Sequence, residues 1–221
     1  MAVDTAPDGS PVELYLRLGP GDEPALIHGA LPPGAEVLEL GCGTGRIADA
    51  LVALGHPTVG VDESAAMLAH VRRARPLHAT IQGLDLGRRF AGVVLASQLV
   101  NTADERLRRA FLATCARHVD PAGAVLLQRH DPVWAARVRD GPLGERNGVG
   151  FALEGVARDG ELLTATSVYR LDGRELRHHW TDRILDDAAL DRELAAVGLA
   201  RRRFLDPRRT WVLCTPAAGR P

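Results

Sequence analysis

The sequence predicts an α/β fold: a mostly parallel sheet flanked by helices, with a small antiparallel three-stranded insert after the fifth strand. Three observations predict it. Short apolar runs bounded by turn residues alternate with helical periodicity between Glu36 and Gln128. That alternation makes βαβ units, whose parallel strands are covered on both faces. A glycine-rich loop follows the first run, where an open α/β sheet binds its ligands. The pattern changes after Asp131, where Asp159-Gly160 and Asp172-Gly173 separate three extended runs, a hairpin signature.

The elements follow in order. Residues 1–33 are rich in Pro and Gly and read as an N-terminal lid, with one helical stretch from Val12 to Leu16. Residues 34–130 read as the ligand-binding core. Its first strand is Glu36 to Leu40, buried and bounded by Pro32-Pro33-Gly34 and the glycine loop. Ile47, Ala50, Leu51 and Leu54 then fall at helical spacing, and Gly55 sits where a helix cap belongs. Thr58 to Val61 is the second strand, and a helix from Ser64 to Ala74 carries Met67, Leu68 and Val71 on one face. The third strand is placed at His78 to Gln82 and the fourth at Val93 to Ala96. Asp104 to Val119 is a helix with Leu107, Phe111, Cys115 and Val119 spaced by four. Ala124 to Gln128 is the fifth strand. Residues 148–185 make the antiparallel insert, and residues 186–215 a last helix capped by Asp186-Asp187 and a last strand, Thr210 to Cys214.

Composition narrows the chemistry. The chain has 221 residues and net charge −1, and all 27 of its Lys and Arg residues are Arg. Schiff-base enzymes, P-loop NTPases, protein kinases and Ser-x-x-Lys acyl-enzymes each place a Lys amine at the reacting centre. A guanidinium stays protonated and cannot replace it. The Arg and Ala bias reads as a GC-rich genome and fits an actinobacterial source. Near-neutral charge argues against a nucleic-acid or anionic-membrane partner. No apolar run reaches the roughly 18 residues of a membrane span, and the acidic start is unlike a signal peptide. Cys42, Cys115 and Cys214 form no C-x-x-C pair and read as buried thiols of a cytoplasmic protein.

The decisive stretch is Glu39-Leu40-Gly41-Cys42-Gly43-Thr44-Gly45-Arg46. Glycines at 41, 43 and 45 permit tight turns and close approach of a ligand. Asp62, 21 residues past Gly41, directly follows the second strand and can accept hydrogen bonds from two ribose hydroxyls. A dinucleotide fingerprint would need a third glycine where Arg46 stands, and Glu39 would repel a pyrophosphate. An acid there suits a ligand carrying an ammonium and a sulfonium, which points to S-adenosylmethionine.

On these residues the sequence resembles the class I S-adenosylmethionine-dependent methyltransferases. Glu39 to Gly45 is similar to their first motif, and Val59-Gly60-Val61-Asp62-Glu63-Ser64 with Met67-Leu68 to their second. Arg89-Phe90 leading into Val93 to Ser97, and Val119-Asp120-Pro121-Ala122-Gly123, resemble the approaches to strands four and five. The resemblance covers residues 34–130 and extends more loosely to 214. It implies a Rossmann-like sheet of seven strands. It also implies that Gly41, Cys42, Gly43 and Gly45 pack against the methionine moiety and ribose, with Glu39 at the ammonium and Asp62 at the ribose. Glu63 and Met67 would lie by the adenosine. Thr80 and Ile81 stand where the family often places an Asp at the adenine amine, so backbone groups would serve there. Ala96, Ser97 and Gln98 after strand four, and Tyr15 from the lid, complete the implied cofactor set.

The methyl acceptor belongs beyond the strand C-termini. His130, after strand five, is the first candidate for a general base, and His179 of His178-His179-Trp180 the second. Adjacent strand residues face opposite ways, so the two insert histidines would not share a metal. Ala96-Ser97-Gln98-Leu99 offers no acid cluster, and no metal is expected. The sequence thus reads as an enzyme transferring a methyl group in line to an O, N or C atom of a small molecule, in natural-product biosynthesis. A methyltransferase acting on RNA or protein, or a cofactor-binding protein without transfer, are the rival readings. The insert's edges would suit pairing into a homodimer. Arg201-Arg202-Arg203 reads as a solvated face.

Overall fold

A computed structural model describes residues 5–7 and 9–217. Its main sheet has seven strands. Strands β1 (Val37–Leu40), β2 (Thr58–Asp62), β3 (Arg75–His78), β4 (Phe90–Leu95) and β5 (Val119–Gln128) are followed late in the chain by β10 (Leu199–Phe204) and β11 (Trp211–Pro216). The order is β10-β11-β5-β4-β1-β2-β3. Only β11 runs against the rest, antiparallel to both β5 and β10. β1 lies between β2 and β4 in parallel register, Glu39 opposite Gly60 and Val94. The strand order reverses there, which opens a crevice beyond the ends of β1 and β4.

Helices cover both faces. α3 (Ala48–Ala53), α5 (Glu105–His118) and α7 (Asp187–Ala196) follow the predicted spacing. α5 starts because the Asp104 carboxylate accepts from the N–H groups of Arg106 and Leu107, at 2.8 and 3.2 Å. It buries Phe111, Leu112 and Cys115 against Val93, Leu95 and Val125 of the sheet. The other face packs Ile27, Leu31, Ile47 and Leu51 on Val37, Val94 and Leu126. Two of these residues belong to α2 (Glu23–Ala30) and its end, a helix not foreseen among the prolines and glycines of the lid. α1 (Val12–Leu18) stands where the short apolar stretch placed a helix.

The second sheet has four strands, not three. β6 (Gly141–Arg146), β7 (Val149–Asp159), β8 (Leu162–Leu171) and β9 (Arg174–Arg183) form an antiparallel meander. Both hairpins form as expected: Asp172-Gly173 is the turn of one, while in the other Asp159 is the last paired residue and Gly160-Glu161 make the turn. The added strand β6 pairs with β7 across a third two-residue turn, Asn147-Gly148, whose φ values of 53° and 74° suit a primed hairpin turn. Pro142 and Gly144 disguised this strand: Pro142 is tolerated because β6 is an edge, and the pairing register shifts between Pro142 and Gly144. Two further boundaries moved. The third strand ends at His78, where Pro76 sits on the outermost strand of the main sheet. The helix from Ser64 closes after α4 (Ala65–Leu68). The Asp49 carboxylate then takes the N–H groups of Arg72, Arg73 and Ala74, each at 2.8 Å. The arginine run 201–203 lies on edge strand β10, with Arg201 in a two-bond pair with Asp191. Among the described residues no helix is long and apolar enough to cross a membrane.

Candidate active site

A cavity of about 590 Å³ lies between the two sheets, lined by the ends of β1, β2 and β4, the start of α1 and the inner face of β7–β9. Its first half is built largely from backbone. Gly41, Gly43 and Gly45 all have positive φ, at 74°, 55° and 81°. A Cβ at Gly41 would stand 2.5 Å from Leu99 Cδ1. The N–H groups of Gly41 and Cys42 both donate to the Val61 carbonyl, at 2.8 and 2.9 Å, which folds the loop back over β2. Asp62 holds the same loop from below: its carboxylate accepts from Gly43 N–H at 2.7 Å and from Ser64 N–H at 2.9 Å. Each of its oxygens keeps a lone pair for a further donor.

Glu39 supplies the charge. Its side chain is buried at the end of β1, and Oε2 has no hydrogen-bond partner. Burial pushes its carboxyl up to about 8, against an ordinary 4.5, although the nearby Arg46 guanidinium pulls the other way. A buried, unsatisfied acid facing a cavity is costly unless a donor or cation completes it. Arg46 does not, because its guanidinium is bound to Glu23 of α2 at 2.7 Å. That pair ties the lid to the glycine loop.

Tyr15, Glu39, Gly41, Cys42, Gly43, Asp62, Glu63, Met67, Ile81, Ser97 and Gln98 border this cavity. Met67 is buried against Gly43, and the Ile81 carbonyl is held by the Thr114 hydroxyl at 2.8 Å. Gly45, Thr80 and Ala96 stand outside the wall. Thr80 is exposed, and Gln82 lines the cavity in its place. Ser97 and Gln98 both hold left-handed backbone, φ 53° and 57°, a strained pair of non-glycine residues at the edge of a site. The Gln128 side chain steadies them by accepting from Ser97 N–H at 2.8 Å.

The second half is built from side chains. His130 leaves the end of β5 with its N–H bound to Asn101 Oδ1 at 2.9 Å. Its Nε2 lies 2.7 Å from Asp182 Oδ2. The imidazole is stacked between Trp134 and Trp180, 5.6 Å from each ring. Trp180 in turn donates to Ser167 Oγ at 2.8 Å. Strand β9 is clasped to the main domain at this corner, through the Thr102–Asp182 bridge and the Asn101 amide on the Arg183 carbonyl. His179 borders the cavity, but its ring is exposed and lies 3.2 Å from Thr166 Oγ1. His178 alternates with it and shares the inner face with Trp180. Sequence reasoning missed Asp182 and the clasp, because a residue 52 positions from His130 carries no local signal of the pairing. Among the described residues no three His, Cys, Asp or Glu side chains gather as a metal site.

Residues 37–123 match the family model of a methyltransferase domain. A dTDP-3-amino-3,6-dideoxy-α-D-glucopyranose N,N-dimethyltransferase of Streptomyces fradiae is 33% identical over 118 residues, 51% of this chain and 45% of that protein. The chain spans less than half the length of the curated relatives it matches. Among solved structures, the CcbJ methyltransferase of Streptomyces caelestis superposes with a TM-score of 0.74 at 22% identity, over 91% of this chain and 98% of that one. CalS10, an amino pentose methyltransferase from Micromonospora echinaspora solved with S-adenosylmethionine bound, gives 0.73 at 23% identity, over 93% and 95%. The chain shares the fold of these proteins.

Proposed function

We propose that this chain is an S-adenosylmethionine-dependent methyltransferase that transfers a methyl group to a nucleophilic atom of a small molecule in natural-product biosynthesis. The observation that carries the reading is the buried Glu39 carboxyl, whose Oε2 has no partner. It sits beside a glycine loop and Asp62, in one cavity with His130. The residues fit the cofactor. Glu39 would receive its ammonium, Asp62 its ribose hydroxyls, and the Met67 and Ile81 walls its adenine. Bound there, it would supply a methyl group on a sulfonium, whose sulfur leaves readily as a neutral thioether.

The chain's own task is then to orient the acceptor, exclude water and move one proton. Asp182 accepts from His130 Nε2–H, which fixes the tautomer and leaves the Nδ1 lone pair to take the acceptor's proton. The two tryptophans hold the ring plane. Support for a small acceptor comes from the enclosing β7–β9 wall and from the Streptomyces fradiae relative, which is named for an amino-sugar substrate. The reading places the enzyme in the cytoplasm and allows a homodimer through the exposed edge strand β6, which light scattering tests. Isothermal titration is expected to show S-adenosylmethionine binding, and acceptor screening to yield S-adenosylhomocysteine. Absence of cofactor binding by the unaltered chain would overturn the reading.

A further inference from the structure

We propose that the acceptor half of the cavity takes an amine carried on an uncharged, aromatic or apolar body, and rejects acceptors that bear phosphate or diphosphate. The inference rests on the methyltransferase reading and adds the substrate class.

The charges on the wall carry it. Among the described residues that line the cavity, Arg46 is the one guanidinium. It lies at the cofactor half and is neutralised by Glu23. Asp182 is the carboxylate of the acceptor half, while Glu39, Asp62 and Glu63 lie at the cofactor half. The rest of the acceptor half is mainly aromatic, apolar or hydroxyl-bearing, Trp134, Trp180, Tyr169 and Leu153 among it, with the imidazoles of His130, His178 and His179. This is not for want of cations, since the chain has 27 of them. Arg170, Arg174 and Arg177 of the same sheet are exposed and paired with Glu175, Glu13 and Glu154.

An anion entering this space loses its water and finds no fork of guanidinium donors to replace it. It also meets the Asp182 carboxylate at the atom that orients His130. A cationic amine meets the opposite field, with aromatic faces suited to a flat or apolar body. Leu143, half exposed at the cavity wall, extends the apolar surface outward. In an amino sugar linked to a nucleotide diphosphate, the diphosphate hangs on the ring that bears the amine, so both would share this cavity. The Streptomyces fradiae relative is named for such a substrate; the wall described here selects against one.

The test is a matched pair. Protein loaded with S-adenosylhomocysteine is titrated calorimetrically, at low ionic strength, with tyramine, with tyramine O-phosphate and with dTDP. Tyramine is expected to bind at millimolar concentration, and at least about tenfold more tightly than its phosphate or dTDP. Equal or tighter binding of either phosphate compound overturns the proposal, as does the failure of tyramine to bind at all. If S-adenosylhomocysteine itself does not bind, the methyltransferase reading falls, and this inference with it. If it binds and dTDP follows, only the substrate class falls.

Discussion

The two halves of the cavity are made in different ways. The cofactor half comes from contiguous chain: three glycines, the acid before them and the acid ending the next strand. Its loop N–H groups are held by the Val61 carbonyl and the Asp62 carboxylate. The acceptor half is assembled from residues far apart in sequence, His130 with Asp182 and Trp134 with Trp180. It depends on β9 being clasped against the loop after β4. Backbone geometry is insensitive to which side chains surround it, so one loop can serve many enzymes. A side-chain cage is sensitive to every member, so on the proposed function acceptor choice is decided there.

This contrast can be broken or sharpened by substitution, beginning where the largest effect lies. His130→Ala should lower kcat by about 100-fold, the lower range for a lost general base, while S-adenosylhomocysteine affinity measured by calorimetry stays put. A fall in both would mean that the halves are not separable. Asp62→Ala should do the reverse. It removes a ribose acceptor and the staple on Gly43, costing roughly 1–3 kcal/mol of cofactor binding, with the kcat at saturation little changed.

Glu39 offers a pH test of the same half. Its carboxyl is raised to about 8 in the folded protein, so folding favours the protonated form. Its contribution to stability is complete below about pH 4.5 and is lost as pH rises toward 8. A bound ammonium reverses that preference and expels the proton. S-adenosylhomocysteine affinity should therefore climb between about pH 6 and pH 8, by at most about tenfold per unit. The thermal shift produced by the ligand should grow over the same interval. Glu39→Gln should flatten both profiles; an unchanged slope would place the linked proton elsewhere. The smallest effect is expected at the strained corner. Gln98→Gly relieves a left-handed residue and should stabilise the fold by up to about 1 kcal/mol in thermal unfolding.

The same contrast explains what could be read from the sequence. Strands β1, β2, β4 and β5, helices α3, α5 and α7 and both Asp-Gly hairpins followed from periodicity and turn chemistry. So did the placement of Glu39, Gly41, Gly43 and Asp62 around one cavity, because each is local in sequence. β6 was hidden by Pro142, which an edge strand accepts, and by Gly144 at a register shift. β10 was hidden by three consecutive arginines, which stand on an edge strand with Arg201 paired to Asp191. Thr80 was placed by analogy with a longer third strand, and the early end of β3 leaves it exposed outside the wall. His179 could not be told from His178 without the register of β9 against β8. Asp182 had no sequence signal at all, since its partner is brought to it only by closure of the whole insert.

The stacking around His130 has a practical corollary. The chain has three tryptophans. Trp211 is sealed in the core at 2% exposure, and the other two flank the imidazole. Indole emission responds to the charge and position of a ring packed against it. The protein thus carries a built-in optical probe of its acceptor end, with Trp211 as a steady background. Seating of a small molecule can be followed in stopped flow with no label attached.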